Sequence, residues 1–319
     1  MGATVSATLF TVEFIIGNAG NGFIAVVNVM DWVKRRKLSS VDQVLTALTI
    51  SRIFLLWTVF IILLISEVYT DLAMTLKVVS MANITWTVAN HFSMWLATSL
   101  SILYLLKIAK FSNSIFLYLK WRVNKVVLMT LLISLILFLF NILVMYTHMD
   151  ILTDEFNRNL SNSSRSWNIE QTSRLLYLLE ILFTFVPFTL SLINIFLLIF
   201  SLWKHLKSMQ HYAKESKDVS TTAHIKALQA VVAFLLLNTI SVLSLVIQLW
   251  SYGFLEKDIF NLLFSAIIIA FPSFHSCVLI LRNNKLRKVS VLVLWWLRCK
   301  VKHCGTLGSL THLGNNFAV

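Results

Sequence analysis

Val126-Val-Leu-Met-Thr-Leu-Leu-Ile-Ser-Leu-Ile-Leu-Phe-Leu-Phe-Asn-Ile-Leu-Val-Met-Tyr-Thr147 is a run of 22 residues without a charged side chain. As an α-helix it would rise ~33 Å, enough to cross a hydrocarbon layer of ~30 Å. Backbone polar groups find no partners in lipid, so a spanning segment of this kind must be helical. The reading for this stretch is a transmembrane helix.

Six more blocks of the same kind flank it. The spans are expected at Ala7–Met30, Gln43–Ser66, Ile84–Ile108, Val126–Thr147, Leu175–Trp203, Ala227–Trp250 and Ile259–Leu281. The first block runs past 20 residues with no basic segment before it, so it reads as a retained span and not as a signal peptide. The fifth is long enough to tilt or to project into the cytoplasm. Composition agrees. Hydrophobic residues make up 58% of the 319, and charged residues only 13%. A soluble domain carries about 25% charged residues, so this chain lacks the polar surface to cover a globule in water. The expected fold is an all-α membrane protein, a seven-transmembrane helix bundle.

The net charge of +13 is placed in a way that excludes a nucleic-acid role. The bases lie in short connectors: Lys34, Arg35, Arg36 and Lys37; Lys120, Arg122 and Lys125; Lys204, Lys207, Lys214 and Lys217; then Arg282, Lys285, Arg287 and Lys288 in the tail. These connectors alternate on one side of the membrane. The opposite connectors hold most of the acids, among them Glu67, Asp71, Asp154, Glu155 and Glu170. Bases beside span ends stay cytoplasmic, so the N-terminus is expected outside and the C-terminus inside. The chain divides into a receptor-like bundle over 1–281 and a cytoplasmic tail over 282–319. Within the tail, Val289–Leu297 is apolar but too short to cross. Bases flank it and Trp295 and Trp296 favour headgroup depth, so it reads as an interfacial helix on membrane lipids.

The longest outside connector, Met149–Arg174, carries two glycosylation acceptors, Asn159-Leu-Ser161 and Asn162-Ser-Ser164. The three cysteines, Cys277, Cys299 and Cys304, all lie in spans or on the cytoplasmic side. No disulfide therefore staples the outer loops, and Cys299 and Cys304 are either inert thiols or palmitoylation sites.

Ionisable and amide groups inside spans are costly and mark function or structure. Arg52 lies in the inner half of span two, with Asn18 and Asn21 on span one; the three are expected to form a structural polar cluster in which Asn18, Asn21 or backbone carbonyls accept from the guanidinium. Span three carries Trp86, Asn90 and His91 in its outer half. Trp86 and Asn90, four residues apart, share one helix face. That face suits either a small-molecule pocket or interhelical hydrogen bonding. No His-Glu-x-x-His, Gly-x-Ser-x-Gly or phosphate loop occurs, and the eight histidines are scattered. The pattern points away from an enzyme, a metal centre or a cofactor. A small secondary transporter is the alternative, but it would usually show repeated halves and helices broken by Gly or Pro. Pro187 and Pro272 bend spans five and seven, and no repeat is found.

Several strings, in order over nearly the whole chain, resemble the bitter taste receptors, the type 2 taste receptor family of G-protein-coupled receptors. They include Glu13-Phe-Ile-Ile-Gly-Asn18, Leu45-Thr-Ala-Leu-Thr-Ile-Ser-Arg52, Asn90-His-Phe-Ser-Met-Trp-Leu-Ala-Thr98, Tyr104-Leu-Leu-Lys-Ile-Ala-Lys-Phe-Ser112, Pro187-Phe-Thr-Leu-Ser-Leu192 and Pro272-Ser-Phe-His-Ser-Cys-Val-Leu-Ile-Leu281 with Lys285-Leu286. Two positions depart from the family pattern: Arg282 stands before Asn283 where many members have Gly, and Leu63 stands where broadly tuned members often carry Trp. The resemblance implies that bitter small molecules enter from outside and settle between spans three, five, six and seven. Trp86, Asn90 and His91 would line that pocket, with Glu180, Asn238 and Ser265 added at matching depth. It also implies a gustducin-type G protein on the inner face, for which Lys107, Lys110, Lys204, His205 and Lys207 are the candidate coupling surface.

Overall fold

The computed structural model describes residues 2–36, 38–68, 72–109, 111–158, 165–210, 219–251, 257–296 and 298–299. Among them no strand occurs. The helices are α1 (Gly2–Arg35), α2 (Ser40–Val68), α3 (Leu72–Ile108), α4 (Ser114–Trp121), α5 (Val123–Arg158), α6 (Arg165–Gln210), α7 (Val219–Ser251) and α8 (Lys257–Arg282). A further helix, α9, covers 284–296. The seven long helices α1, α2, α3, α5, α6, α7 and α8 correspond in order to the seven expected spans. Five of them (α1, α2, α3, α5 and α6) hold a described segment long and apolar enough to cross a membrane.

The helices outrun the apolar blocks. The connector expected at Met149–Arg174 is largely helix: α5 continues to Arg158 and α6 begins at Arg165. At 46 residues α6 is ~69 Å long, about twice the hydrocarbon thickness. The glycosylation acceptors Asn159 and Asn162 lie outside the described residues, as does Cys304.

Helix α3 is the centre of the bundle. It packs against α2, α5, α6 and α7, while α1 and α8 close the ring on the far side of α2 and α7. Burial decides this: 67% of the spanning segment of α3 is buried, against 17% for α5. α5 is apolar all round because it stands at the rim, with Leu128, Leu132, Ile136, Leu139 and Leu143 facing outward. The interior is correspondingly polar. Ser93, Thr98, Ser99, Ser191, Ser201 and Asn238 are all buried. Lipid is as apolar as leucine, so packing of small residues and interhelical hydrogen bonds, not apolar burial, draws such helices together. The α3–α6 seam shows this directly. Thr98 Oγ1 donates to the Pro187 carbonyl (3.2 Å) and lies 3.0 Å from Ser191 Oγ, and Asn194 Nδ2 donates to Ser101 Oγ (2.9 Å).

Helix ends are set by local side chains. Ser39 Oγ accepts from the Asp42 N–H while donating to Asp42 Oδ2 (2.8 Å), a reciprocal cap at the start of α2. Asn113 caps α4 by accepting from the Ile115 N–H (2.9 Å). Lys120, on α4, donates to the Ala109 carbonyl at the end of α3 (3.0 Å), a cation where the helix dipole wants one. Asn283 caps α9 through the Lys285 N–H (3.0 Å). The outer surface of α9 is apolar, with Val291, Leu292, Leu294, Trp295 and Trp296 exposed.

Candidate functional site

The most constrained cluster lies where α1, α2, α3 and α8 meet. Arg52 is fully buried. Its Nε donates to Ser93 Oγ on α3 (3.3 Å), its Nη1 to Ser276 Oγ on α8 (3.2 Å) and its Nη2 to His275 Nδ1. Because Nδ1 accepts, the proton of this imidazole sits on Nε2. The guanidinium carbon also stands 5.7 Å from the centre of the Phe271 ring. All of the described acceptors are neutral. This is a cation held by fixed dipoles and one aromatic face, not by a carboxylate.

Ser276 is the hub of the cluster. Besides accepting from Arg52, its hydroxyl lies 2.6 Å from Asn21 Oδ1 and 2.9 Å from the Pro272 carbonyl, and donates toward both. Asn21 in turn donates from Nδ2 to the Gly17 carbonyl (2.8 Å). The expected trio is therefore only partly assembled. Asn21 reaches Arg52 through Ser276, and Asn18 bonds the Phe14 carbonyl of its own helix (2.8 Å). The acceptors expected from Asn18, Asn21 or backbone are supplied instead by Ser93, Ser276 and His275. Two of these lie more than 220 residues away in the chain, and nothing in the local pattern of span two marks them. The close approach of α1 to α2 and α8 depends on Gly17. A Cβ there would lie 2.6 Å from Leu56 Cδ1 and would overlap Ser273 Oγ.

Toward the outer end, α3 presents Trp86, Asn90 and His91 in different directions. His91 is buried against α5: its Nε2 donates to the Ser134 carbonyl (2.9 Å), and its ring lies 5.2 Å from that of Phe138. Asn90 borders a cleft of about 280 Å³ between α3, α5 and α6, together with Thr87, Trp95, Asn141 and Thr184. Trp86 is half-buried and stands outside that lining. Asn238 is buried on α7, and its Nδ2 has no hydrogen-bond partner among the described residues. Glu180 and Ser265 fall on α6 and α8 as expected, but their side chains lie outside the described residues. A second, inner cleft of about 210 Å³ lies between α3, α7 and α8, bordered by Ser101, Tyr104, Val231, His275 and Leu279. It places His275 of the Arg52 cluster against α7.

At the inner end the structure shows an ion cluster that the sequence reading missed. Lys285 Nζ lies 2.7 Å from Asp31 Oδ2 and 3.7 Å from Asp42 Oδ1, and donates to Asn28 Oδ1 (3.0 Å). Asn28 then donates to Thr46 Oγ1 (3.1 Å). One lysine at the start of α9 thus ties α1 and α2 together. The signal available in the sequence was two acids, Asp31 and Asp42, sitting against the charge bias of a basic connector. Of the coupling candidates, Lys107, Lys204 and Lys207 are exposed, with Lys207 Nζ 5.3 Å from the centre of the Trp203 ring. Lys110 and the His205 side chain lie outside the described residues. Cys299 is half-buried with a free thiol. No group of three or more potential metal ligands occurs among the described residues.

Comparison with known proteins covers nearly the whole chain. The family model described as "Taste receptor protein (TAS2R)" matches residues 2–298. "Taste receptor type 2 member 125" of Rattus norvegicus is 56% identical over 303 residues, 95% of this chain and 97% of its own length. "Taste receptor type 2 member 140" of the same species is 56% identical over 287 residues, 90% of this chain and 92% of its own length. "Taste receptor type 2 member 14" of Homo sapiens is 51% identical over 291 residues, 91% of each chain.

Proposed function

This chain belongs to the taste receptor type 2 (TAS2R) family, and from that premise we propose that it is a bitter taste receptor, a G-protein-coupled receptor that binds bitter small molecules at its outer end and activates a gustducin-type G protein at its inner end. The family match over residues 2–298 carries this reading. A transporter gains no support from it.

In this reading the N-terminus is extracellular and the C-terminus cytoplasmic, with 1–281 as the receptor domain and 282–319 as the tail. Agonists contact Trp86 and Asn90 on α3, Glu180 on α6, Asn238 on α7 and Ser265 on α8. His91 contributes by fixing α3 against α5, given its bond to the Ser134 carbonyl. The buried, unpartnered Nδ2 of Asn238 supports its inclusion, since a donor in that state gains most from a ligand acceptor. Lys107, Lys110, Lys204, His205 and Lys207 face the G protein. Asn159 and Asn162 carry glycans, α9 lies on membrane lipids, and Cys299 or Cys304 accepts a palmitoyl chain.

A ligand shifts the receptor only by binding its two states with different affinity. The Arg52 cluster is the element suited to hold two arrangements, because one guanidinium joins α2, α3 and α8 through three neutral acceptors. The test is calcium release in cells co-expressing the chain with a gustducin-containing G protein. A panel of bitter compounds should elicit G-protein-dependent release. Solute uptake that does not need the G protein would support the transporter and overturn the proposal.

A further inference from the structure

The cleft between α3, α5 and α6 has features the agonist reading does not use. Its lining comes from those three helices alone, with no residue of α7 or α8. Most of the polar groups on it with described bonds are committed to neighbouring helices. His91 Nε2 serves the Ser134 carbonyl, and the Thr87 hydroxyl points to Met145 Sδ at 3.6 Å. Two others stand differently. The Trp95 indole is 2% exposed and its Nε1–H has no hydrogen-bond partner among the described residues. Asn141 is 4% exposed. It interrupts an otherwise apolar stretch of α5, the rim helix, and turns its amide to this cleft.

Neither residue is explained by packing. An indole N–H enclosed without an acceptor is a standing cost, and so is an asparagine on a helix surrounded by hydrocarbon. Beside the cleft, Phe140, Leu182 and Phe185 are exposed on the lipid-facing surface, and Phe183, one of its lining residues, lies 6.2 Å from Phe140 ring to ring. A molecule can therefore reach the cleft sideways from the bilayer. No carboxylate, ammonium or guanidinium lines it, so an ion has nothing to pair with there.

We infer that the α3–α5–α6 cleft is a second ligand site, open to the membrane, for small neutral apolar compounds carrying a carbonyl or ether oxygen that accepts from Trp95 Nε1 and the Asn141 amide. At about 280 Å³ it sits just below the usual range of ligand cavities, ~300–1,000 Å³, and so takes compounds of one or two rings. The site shares Asn90 and His91 with the proposed agonist wall, so its occupant acts on α3 from the opposite side. The inference does not need the chain to signal, because the site follows from the cleft and its two polar groups.

The probe is benzophenone, an apolar two-ring ketone that inserts into nearby C–H bonds under near-ultraviolet light. The full chain in phosphatidylcholine nanodiscs is irradiated and the adducts are mapped by mass spectrometry. Labelling should saturate and should concentrate on peptides bearing Met94, Trp95, Asn141 and Phe183. 2-Decalone, which keeps the acceptor, should compete at least ~5-fold better than decalin, which lacks it. Trp95→Phe, which keeps the ring and removes the N–H, should cut the saturable labelling by ~5-fold or more. Asn141→Leu, a change that suits a lipid-facing helix, should act in the same direction and guards against misfolding of the first variant. Labelling spread evenly along the lipid-facing helices, equal competition by decalin, or full labelling in a monodisperse Asn141→Leu protein would each overturn the inference.

Discussion

Ser276→Ala tests the polar cluster at its hub. The substitution removes one hydroxyl and leaves the backbone of α8 intact. Arg52 Nη1 loses its acceptor at 3.2 Å and Asn21 Oδ1 loses its donor at 2.6 Å. A buried partner left without its bond costs about 1–3 kcal/mol in soluble proteins, but interhelical bonds in membranes average nearer 0.6 kcal/mol. Arg52 also keeps Ser93 and His275. The two broken contacts together therefore cost about 1–3 kcal/mol. Thermal unfolding of the purified protein in detergent measures the loss, and a double-mutant cycle with Asn21→Ala isolates the coupling. The cycle should give a coupling of about 1 kcal/mol between positions 21 and 276, well above the ~0.3–0.5 kcal/mol within which independent sites add. Additive effects would refute the claim that Ser276 joins α1 to Arg52.

Gly17→Ala should destabilise by about 1–3 kcal/mol, because its methyl would overlap Ser273 Oγ and meet Leu56 Cδ1 at 2.6 Å. Gly22→Ala, where a Cβ meets nothing within 4 Å, should be neutral or slightly stabilising in the same melts. Lys285→Met should leave the melting temperature nearly unchanged, since a half-exposed ion pair is worth about 0–1 kcal/mol. It should nonetheless raise amide exchange across 284–296 by up to ~5-fold as α9 loses its tie to Asp31. Asn90→Ala and Trp86→Ala should lower agonist potency at normal surface expression in the calcium assay; loss of expression in step with potency would assign them to packing instead.

The seven long helices were legible because lipid imposes a crude requirement: ~20 consecutive apolar residues per crossing. Val126–Thr147 meets it without a single charge, and α5 encloses it. What the hydrocarbon does not dictate was not legible. α4 is eight residues in a connector expected as loop, and nothing but Asn113 announces it. The extensions of α5 and α6 beyond the bilayer carry ordinary polar helix composition. Arg52 was recognisable as a buried cation, but its acceptors Ser93 and Ser276 are serines among many, and only the fold brings them within reach. The same holds for Lys285 with Asp31 and Asp42, a contact joining residues some 250 apart. At the candidate binding site, helical spacing placed Trp86 and Asn90 on one face. It gave no way to see that His91, the next residue, turns to the Ser134 carbonyl.

The account rests on a polypeptide solvated mainly by lipid, crossing it seven times with its basic connectors on the cytosolic side. Epitope tags at the two ends, read by antibody on intact and then permeabilised cells, test this most directly. The N-terminal tag should stain intact cells, and the C-terminal tag should stain only after permeabilisation. Both tags reporting from one side of the membrane would contradict the seven-pass arrangement and the receptor reading built on it.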